Sequence, residues 1–271
     1  MELGLPRVSS LRWHTDRRPI VYHDDRHAGE GFIMSMQQRV AVVTGASQGL
    51  GAGAVEGYRK LGYAVVAVSR TIAPSTDSHV VTVQGDVADR ATAERAVTAA
   101  VERFGRLDTL INNAGIFIAK PFTDYTLDDY TAARGVNLDG FFHITQLAIA
   151  QMLKQDGGHI VTITTSLVDN ADARVPSVLA SLTKGGLQSA TKSLAIEYAT
   201  RGIRVNAVSP GTINTPMHPQ ETHQTLAALH PIGRVGEPSD ITDAILFLEN
   251  APFITGEILH VDGGMSAGHR S

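Results

Sequence analysis

Three glycines fall within the stretch Thr44-Gly45-Ala46-Ser47-Gln48-Gly49-Leu50-Gly51, directly after a Val-rich run at 39–44. Glycines there let the backbone turn tightly from a strand into a helix. They also let an anion reach the free N–H groups and the positive dipole end of that helix. Gly45, Ser47, Gln48, Gly49, Leu50 and Gly51 are therefore candidate ligands for a pyrophosphate. Further on, a second Val-rich run closes on Ser69-Arg70 with no acidic residue. A carboxylate at that point would hold a ribose 2′-hydroxyl and repel a 2′-phosphate, whereas Arg70 can make a charge-assisted bond to the phosphate. The combination reads as a site for NADP, with NAD as the alternative.

These residues need a scaffold, and the sequence supplies one. Val- and Ile-rich runs lie at 39–44, 64–69, 80–84, 107–111, 159–164, 203–208 and 257–261. They are continuously apolar, the pattern of strands buried on both faces of a parallel sheet. Helical spacing lies between them. Ala96, Val97, Ala100, Val101 and Phe104 form one apolar stripe. A longer helix opens at the capping-box-like Thr126-Leu127-Asp128-Asp129 and runs to about 153; another spans about 176 to 199. Alternating strands and helices with right-handed crossovers predict a single α/β domain, a doubly wound parallel sheet of about seven strands with helices on both faces.

Composition narrows the partners. The net charge of −4 gives no reason to expect nucleic acid or acidic lipid. There is no cysteine, so no disulfide, thiolate metal site or cysteine nucleophile. No apolar run approaches the roughly 18 residues of a membrane span. The histidines are scattered along the chain, so no metal is expected. Residues 1–35 are rich in Arg, His, Asp and Gly, and Arg17-Arg18 is followed by no apolar segment, so a secretory signal is not expected. They read as a mobile extension, or as sequence upstream of a natural start at Met34 or Met36. The folded domain is then 36–271, and a cytoplasmic location follows by default.

Further motifs carry a resemblance that runs along almost the whole chain from residue 39. They are Gly-x-x-x-Gly-x-Gly at 45–51, Gly85-Asp86-Val87, Asn112-Asn113-Ala114-Gly115, Asn137 within Gly135-Val136-Asn137-Leu138, Pro210-Gly211-Thr212 with Thr215-Pro216, and Gly256 with Asp262-Gly263-Gly264. In order and spacing the chain resembles the short-chain dehydrogenase/reductase family. The resemblance implies a Rossmann fold and a small carbonyl or alcohol substrate. It places Asp86 at the adenine amino group, with Val87, Asn113, Ala114 and Gly115 also at the cofactor. It gives Asn137 a proton-relay water, and it folds Pro210, Gly211, Thr212 and Thr215 over the nicotinamide. A variable lid falls at about 212–235. The two long helices become the subunit interface of a homotetramer or homodimer.

The family's active site is written Tyr-x-x-x-Lys. Here the stretch reads Ala180-Ser181-Leu182-Thr183-Lys184, so the lysine is kept and alanine stands at the tyrosine position. In the family this lysine also bonds the nicotinamide ribose. The family's serine falls at Thr165 or Ser166, which leaves Asn137, Thr165, Ser166 and Lys184 as the catalytic candidates. The loop at 167–175 is one or two residues longer than usual and carries Asp169 and Asp172. Ala180 cannot donate a proton, and Ser181 lies about 100° further round the helix. Tyr198 is many turns on; Tyr125 and Tyr130 would reach only through tertiary folding. His218, in the lid, could supply a proton near its own pKa. Loss of a general acid typically costs about 10²–10⁴ in rate. The sequence thus predicts an NAD(P)-dependent oxidoreductase with an atypical proton donor. The alternatives are an NADP(H)-binding sensor or partner subunit without dehydrogenase activity, and non-redox chemistry on the same scaffold.

Overall fold

Strand β1 (Val40–Thr44) is buried on both faces, and its neighbours explain why its sequence is continuously apolar. Val40 and Val42 join one core cluster with Ala96, Ala100, Ile144 and Met152. Ala41 and Val43 join the other, with Ala54, Ile241, Ile245 and Leu248. Helices α2 (Arg90–Phe104), α4 (Gly140–Met152) and α5 (Val178–Tyr198) thus cover one face, and α1 (Gly49–Lys60) and α7 (Pro238–Glu249) the other. In this computed structural model the described residues are 38–155 and 157–268. The reading of 1–35 as an extension lies outside them.

The remaining strands are β2 (Ala64–Ser69), β3 (Val80–Gln84), β4 (Thr109–Asn112), β5 (Gly158–Ile163), β6 (Ile203–Pro210) and β7 (Ile258–Val261). The sheet order is β3-β2-β1-β4-β5-β6-β7, and every pairing is parallel. After β3 the chain crosses to the far side of β1, so the order reverses between β1 and β4. In an open α/β sheet the carboxyl ends of the strands at such a switch point form the ligand crevice. At the opposite end, Glu249 closes α7 onto the sheet. Its carboxylate accepts from Tyr58, Tyr63, Thr109 and His159 Nδ1, at 3.1, 2.6, 3.1 and 2.8 Å. Burial disfavours the charge, but these donors outweigh it and hold the carboxyl at about 2. Among the described residues no helix is long and apolar enough to cross a membrane.

All seven predicted strands form, within two residues of their expected starts. The long helix expected over 126–153 forms from Leu127 to Met152, but with a π turn in its course. Helix α3 (Leu127–Arg134) begins with the capping box, in which Thr126 Oγ1 accepts from Asp129 N and Asp129 accepts from Thr126 N. It then passes into a π turn, Gly135–Asp139, before α4 resumes. The π turn presents the buried Asn137, which holds the segment after β4: Nδ2 donates to Ile116 O at 3.1 Å, and Oδ1 accepts from Ile116 N at 2.9 Å. Such bulges gather at functional sites, where one side chain must be re-aimed.

Candidate cofactor and active site

The carboxyl ends of β1, β4, β5 and β6 open into a cavity of about 420 Å³. Its first wall is the turn after β1, where Gly45, Ser47, Gln48, Gly49 and Leu50 line the space. Gly45 has φ +66°, a left-handed conformation that suits glycine. Gly51 lies behind this wall; a Cβ there would collide with the Gly45 carbonyl oxygen. Thr44 ties the turn to the end of β4: its Oγ1 accepts from Asn113 N and Ala114 N, each at 3.0 Å. Asn113 returns the contact, donating through Nδ2 to Thr44 O at 2.9 Å. The side chain of the N-cap residue, Gln48, makes no cap to α1, and no acidic residue sits in the helix's first turn. Uncapped N–H groups and a positive dipole end beside a glycine turn fit a pyrophosphate.

Arg70, Asp86 and Val87 line the same cavity beyond the ends of β2 and β3. Arg70 is exposed, and Ser47 Oγ lies 3.0 Å from Ser69 Oγ beside it. No carboxylate stands at the end of β2, so this rim fits a phosphorylated ribose. Asn113, Ala114 and Gly115 line the floor, and Pro210, Gly211, Thr212 and Thr215 the far wall.

The other half of the cavity holds Lys184. It is buried on α5, and its Nζ donates to Ile163 O at 2.7 Å. The chain after β4 runs close across it, since a Cβ on Gly115 would lie 2.8 Å from Nζ. Burial lowers the Lys184 pKa to about 8. Thr165 and Ser166 both line the cavity, but their hydroxyls differ. Ser166 is buried and donates to Met265 Sδ at 3.4 Å, whereas Thr165 Oγ1 accepts from Leu167 N at 3.4 Å. Asn137 does not line this cavity; its Nδ2 donates to Thr183 Oγ1 at 3.0 Å as well as to Ile116 O. Ala180 lines the wall one turn before Lys184, and among the described residues no tyrosine does so. Tyr125 donates instead to Ile118 O at 2.8 Å, and Ser181 to Leu167 O at 3.3 Å.

Carboxylates beside the cavity would oppose an oxyanion, and the loop after β5 carries Asp169 and Asp172. Neither lines the cavity. Asp169 accepts from Gln188 Nε2, with His260 Nε2 3.0 Å away, while Asp172 pairs with Arg174. From the lid, Met217, His218, Leu226 and Leu229 complete an otherwise apolar wall with Ile116, Phe117, Leu167, Val175 and Met265. His218 donates through Nδ1 to Ile213 O at 3.0 Å, and burial lowers its pKa. It is therefore neutral at pH 7, and its ring offers the cavity an acceptor rather than an acid. Thr44 and the Ile163 carbonyl escaped the sequence reading. The first is visible only as the residue before the glycine turn, and the second leaves no signal in residue type.

Residues 45–266 match the protein-family model described as enoyl-(acyl carrier protein) reductase. A 3-oxoacyl-[acyl-carrier-protein] reductase of Thermotoga maritima is 33% identical over 249 residues, covering 86% of this chain and 99% of that protein. The structure of 3-ketoacyl-(acyl-carrier-protein) reductase from Brucella melitensis, complexed with NADH, is similar at a TM-score of 0.78 and 32% identity. It covers 86% of this chain and 100% of its own. The structure of ElxO with NADP bound is similar at a TM-score of 0.79 and 29% identity, over 85% of this chain and 100% of its own.

Proposed function

This chain belongs to the short-chain dehydrogenase/reductase family, and from that premise we propose that it is an NADP(H)-dependent oxidoreductase whose proton is handled by a group other than tyrosine. Its substrate is a small carbonyl or alcohol. The observation that carries the reading is that the uncapped N-terminus of α1 and the Lys184 ammonium face one cavity. The relatives solved with NADH and with NADP support the cofactor class.

A bound nicotinamide supplies or accepts the hydride. The chain's own residues arrange the rest. Lys184 keeps one N–H on Ile163 O and has others for the ribose and the reacting oxygen. Its positive charge in a buried site favours an oxyanion. Thr165 is the hydroxyl assigned to steady that oxygen, because Ser166 is already committed to Met265. Asn137 keeps Ile116 and Thr183 in place behind the floor. The apolar wall from Phe117 to Met265 favours an uncharged substrate.

Arg70 supports the choice of NADP. Arg70→Ala is expected to weaken NADPH binding about tenfold, the loss of one charge-assisted bond, and to leave NADH binding unchanged. Equal effects on both would remove the 2′-phosphate assignment. The same reading includes self-association across α4 and α5, where Phe142, Leu182 and Ile196 stand exposed; sedimentation returning a monomer would remove that part.

The test of the function is NADPH oxidation across aldehydes, ketones and quinones, with Ala180→Tyr beside the native protein. Native turnover is expected, and Ala180→Tyr is expected to raise it by about 10²-fold as a general acid is added. Turnover confined to Ala180→Tyr would instead favour a nucleotide-binding protein without dehydrogenase activity, the reading for which Ala180 is the motive. No oxidation by either would remove the oxidoreductase.

A further inference from the structure

His230 is buried within the lid segment, against the loop that follows β6, and it takes no part in the arrangement above. Its Nδ1 lies 2.9 Å from Leu226 O. A carbonyl only accepts, so Nδ1 carries the hydrogen. Its Nε2 accepts from Thr212 N at 2.9 Å. The imidazole is therefore neutral, with both nitrogens used, and serves neither as acid nor as nucleophile. It is also in close contact with the backbone, since a Cβ on Gly211 would lie 2.5 Å from Nε2.

The strip that follows is held on both sides. Thr212 O accepts from Gly236 N at 2.9 Å, and Asn214 N donates to Gly236 O at 2.8 Å. His218 takes the Ile213 carbonyl. The Ile213 N–H has no protein acceptor among the described residues, and Ile213 lines the cavity. One histidine thus fixes an N–H and another fixes a C=O one residue later, and the backbone donor between them remains for a ligand.

Resting on the dinucleotide reading of the cavity, we propose that His230 is a positioning residue for the nicotinamide half of the cofactor, holding the strip 212–214 through the Thr212 N–H. The adenosine half, bound at Arg70 and Asp86, does not depend on it. His230→Leu leaves the partly buried Thr212 N–H unpaired, whereas the side-chain oxygen of His230→Gln can still accept it.

Titration of NADPH and of 2′,5′-ADP into the native protein and both variants separates the halves. His230→Leu is expected to weaken NADPH at least about tenfold and to leave 2′,5′-ADP within about twofold, with His230→Gln restoring most of the loss. Unchanged NADPH affinity, or equal losses for both ligands, would overturn the proposal. If His230→Leu does not fold, His230→Phe, which keeps the ring's bulk and lacks the acceptor for Thr212 N, takes its place with the same expected loss for NADPH and not for 2′,5′-ADP. If the native protein binds neither nucleotide, the dinucleotide reading falls separately, and limited proteolysis decides the role of His230. The proposal then requires faster cleavage within 212–230 in the variants, and an unchanged rate overturns it.

Discussion

Lys184→Met is expected to stabilise the fold and abolish its chemistry. The native ammonium is buried, and burial brings its pKa from 10.5 to about 8. Between those values the folded chain binds fewer protons than the unfolded one, so stability rises with pH across that window. Below about 8 the lysine is charged in both states, and the folded state bears the full penalty, of order 3 kcal/mol. Methionine has similar length and no charge. It leaves Ile163 O without its donor, which returns about 1 kcal/mol. Lys184→Met should therefore unfold at a higher temperature at pH 7, by about 2 kcal/mol, and the advantage should shrink as pH climbs toward 10.5. Cofactor oxidation should drop by at least about 10², the scale of a lost electrostatic stabiliser. Thermal unfolding and turnover of the same preparation check both halves. A destabilised variant that still turns over would contradict the role given to this lysine.

Gly51→Ala is expected to lose both stability and binding, although helix propensity alone favours alanine by about 1 kcal/mol. The added Cβ would meet the Gly45 carbonyl oxygen and lie 2.7 Å from Asn113 Nδ2. Neither can yield cheaply. Gly45 sits in a tight turn at φ +66°, and Asn113 is bonded to Thr44. Overpacking of this kind costs roughly 1–3 kcal/mol or more, which exceeds the propensity gain. Relief would come by moving the start of α1 away from the turn, which removes the anion cradle. NADPH affinity should fall by about 10²-fold or more, the scale of losing several bonds to a charged group. Denaturant unfolding and NADPH titration measure the two effects. A variant that binds as tightly as the native protein would show that this turn does not hold the cofactor.

The strands were legible because a parallel sheet covered on both faces needs uninterrupted apolar residues, which Val40 to Val43 and Ala64 to Val68 provide. Their ends were less so. Leu107 is buried like a strand residue but precedes the pairing that starts at Thr109, and Thr164 follows the last residue of β5. The cofactor turn was legible because it needs glycine at fixed points. The π turn was not: residues 135–139, Gly-Val-Asn-Leu-Asp, are mostly weak helix formers but carry no break signal that says π rather than α, and the widened turn is seen only with the bonds of Asn137 to Ile116 and Thr183. Residue types also could not say where Asp169 and Asp172 turn, nor that Ser166 would spend its hydroxyl on Met265. His230 is the extreme case. Its role depends on two backbone atoms, Leu226 O and Thr212 N, which every sequence possesses.

The most direct test of hydride transfer uses NADPH deuterated at its transferable position, a carbonyl substrate and the native protein, with the alcohol product weighed by mass spectrometry. Deuterium is expected on the former carbonyl carbon, with the same label appearing at a higher rate for Ala180→Tyr. Product formed without deuterium, or substrate altered while NADPH stays unoxidised, would contradict it and move the chain to non-redox chemistry on this fold.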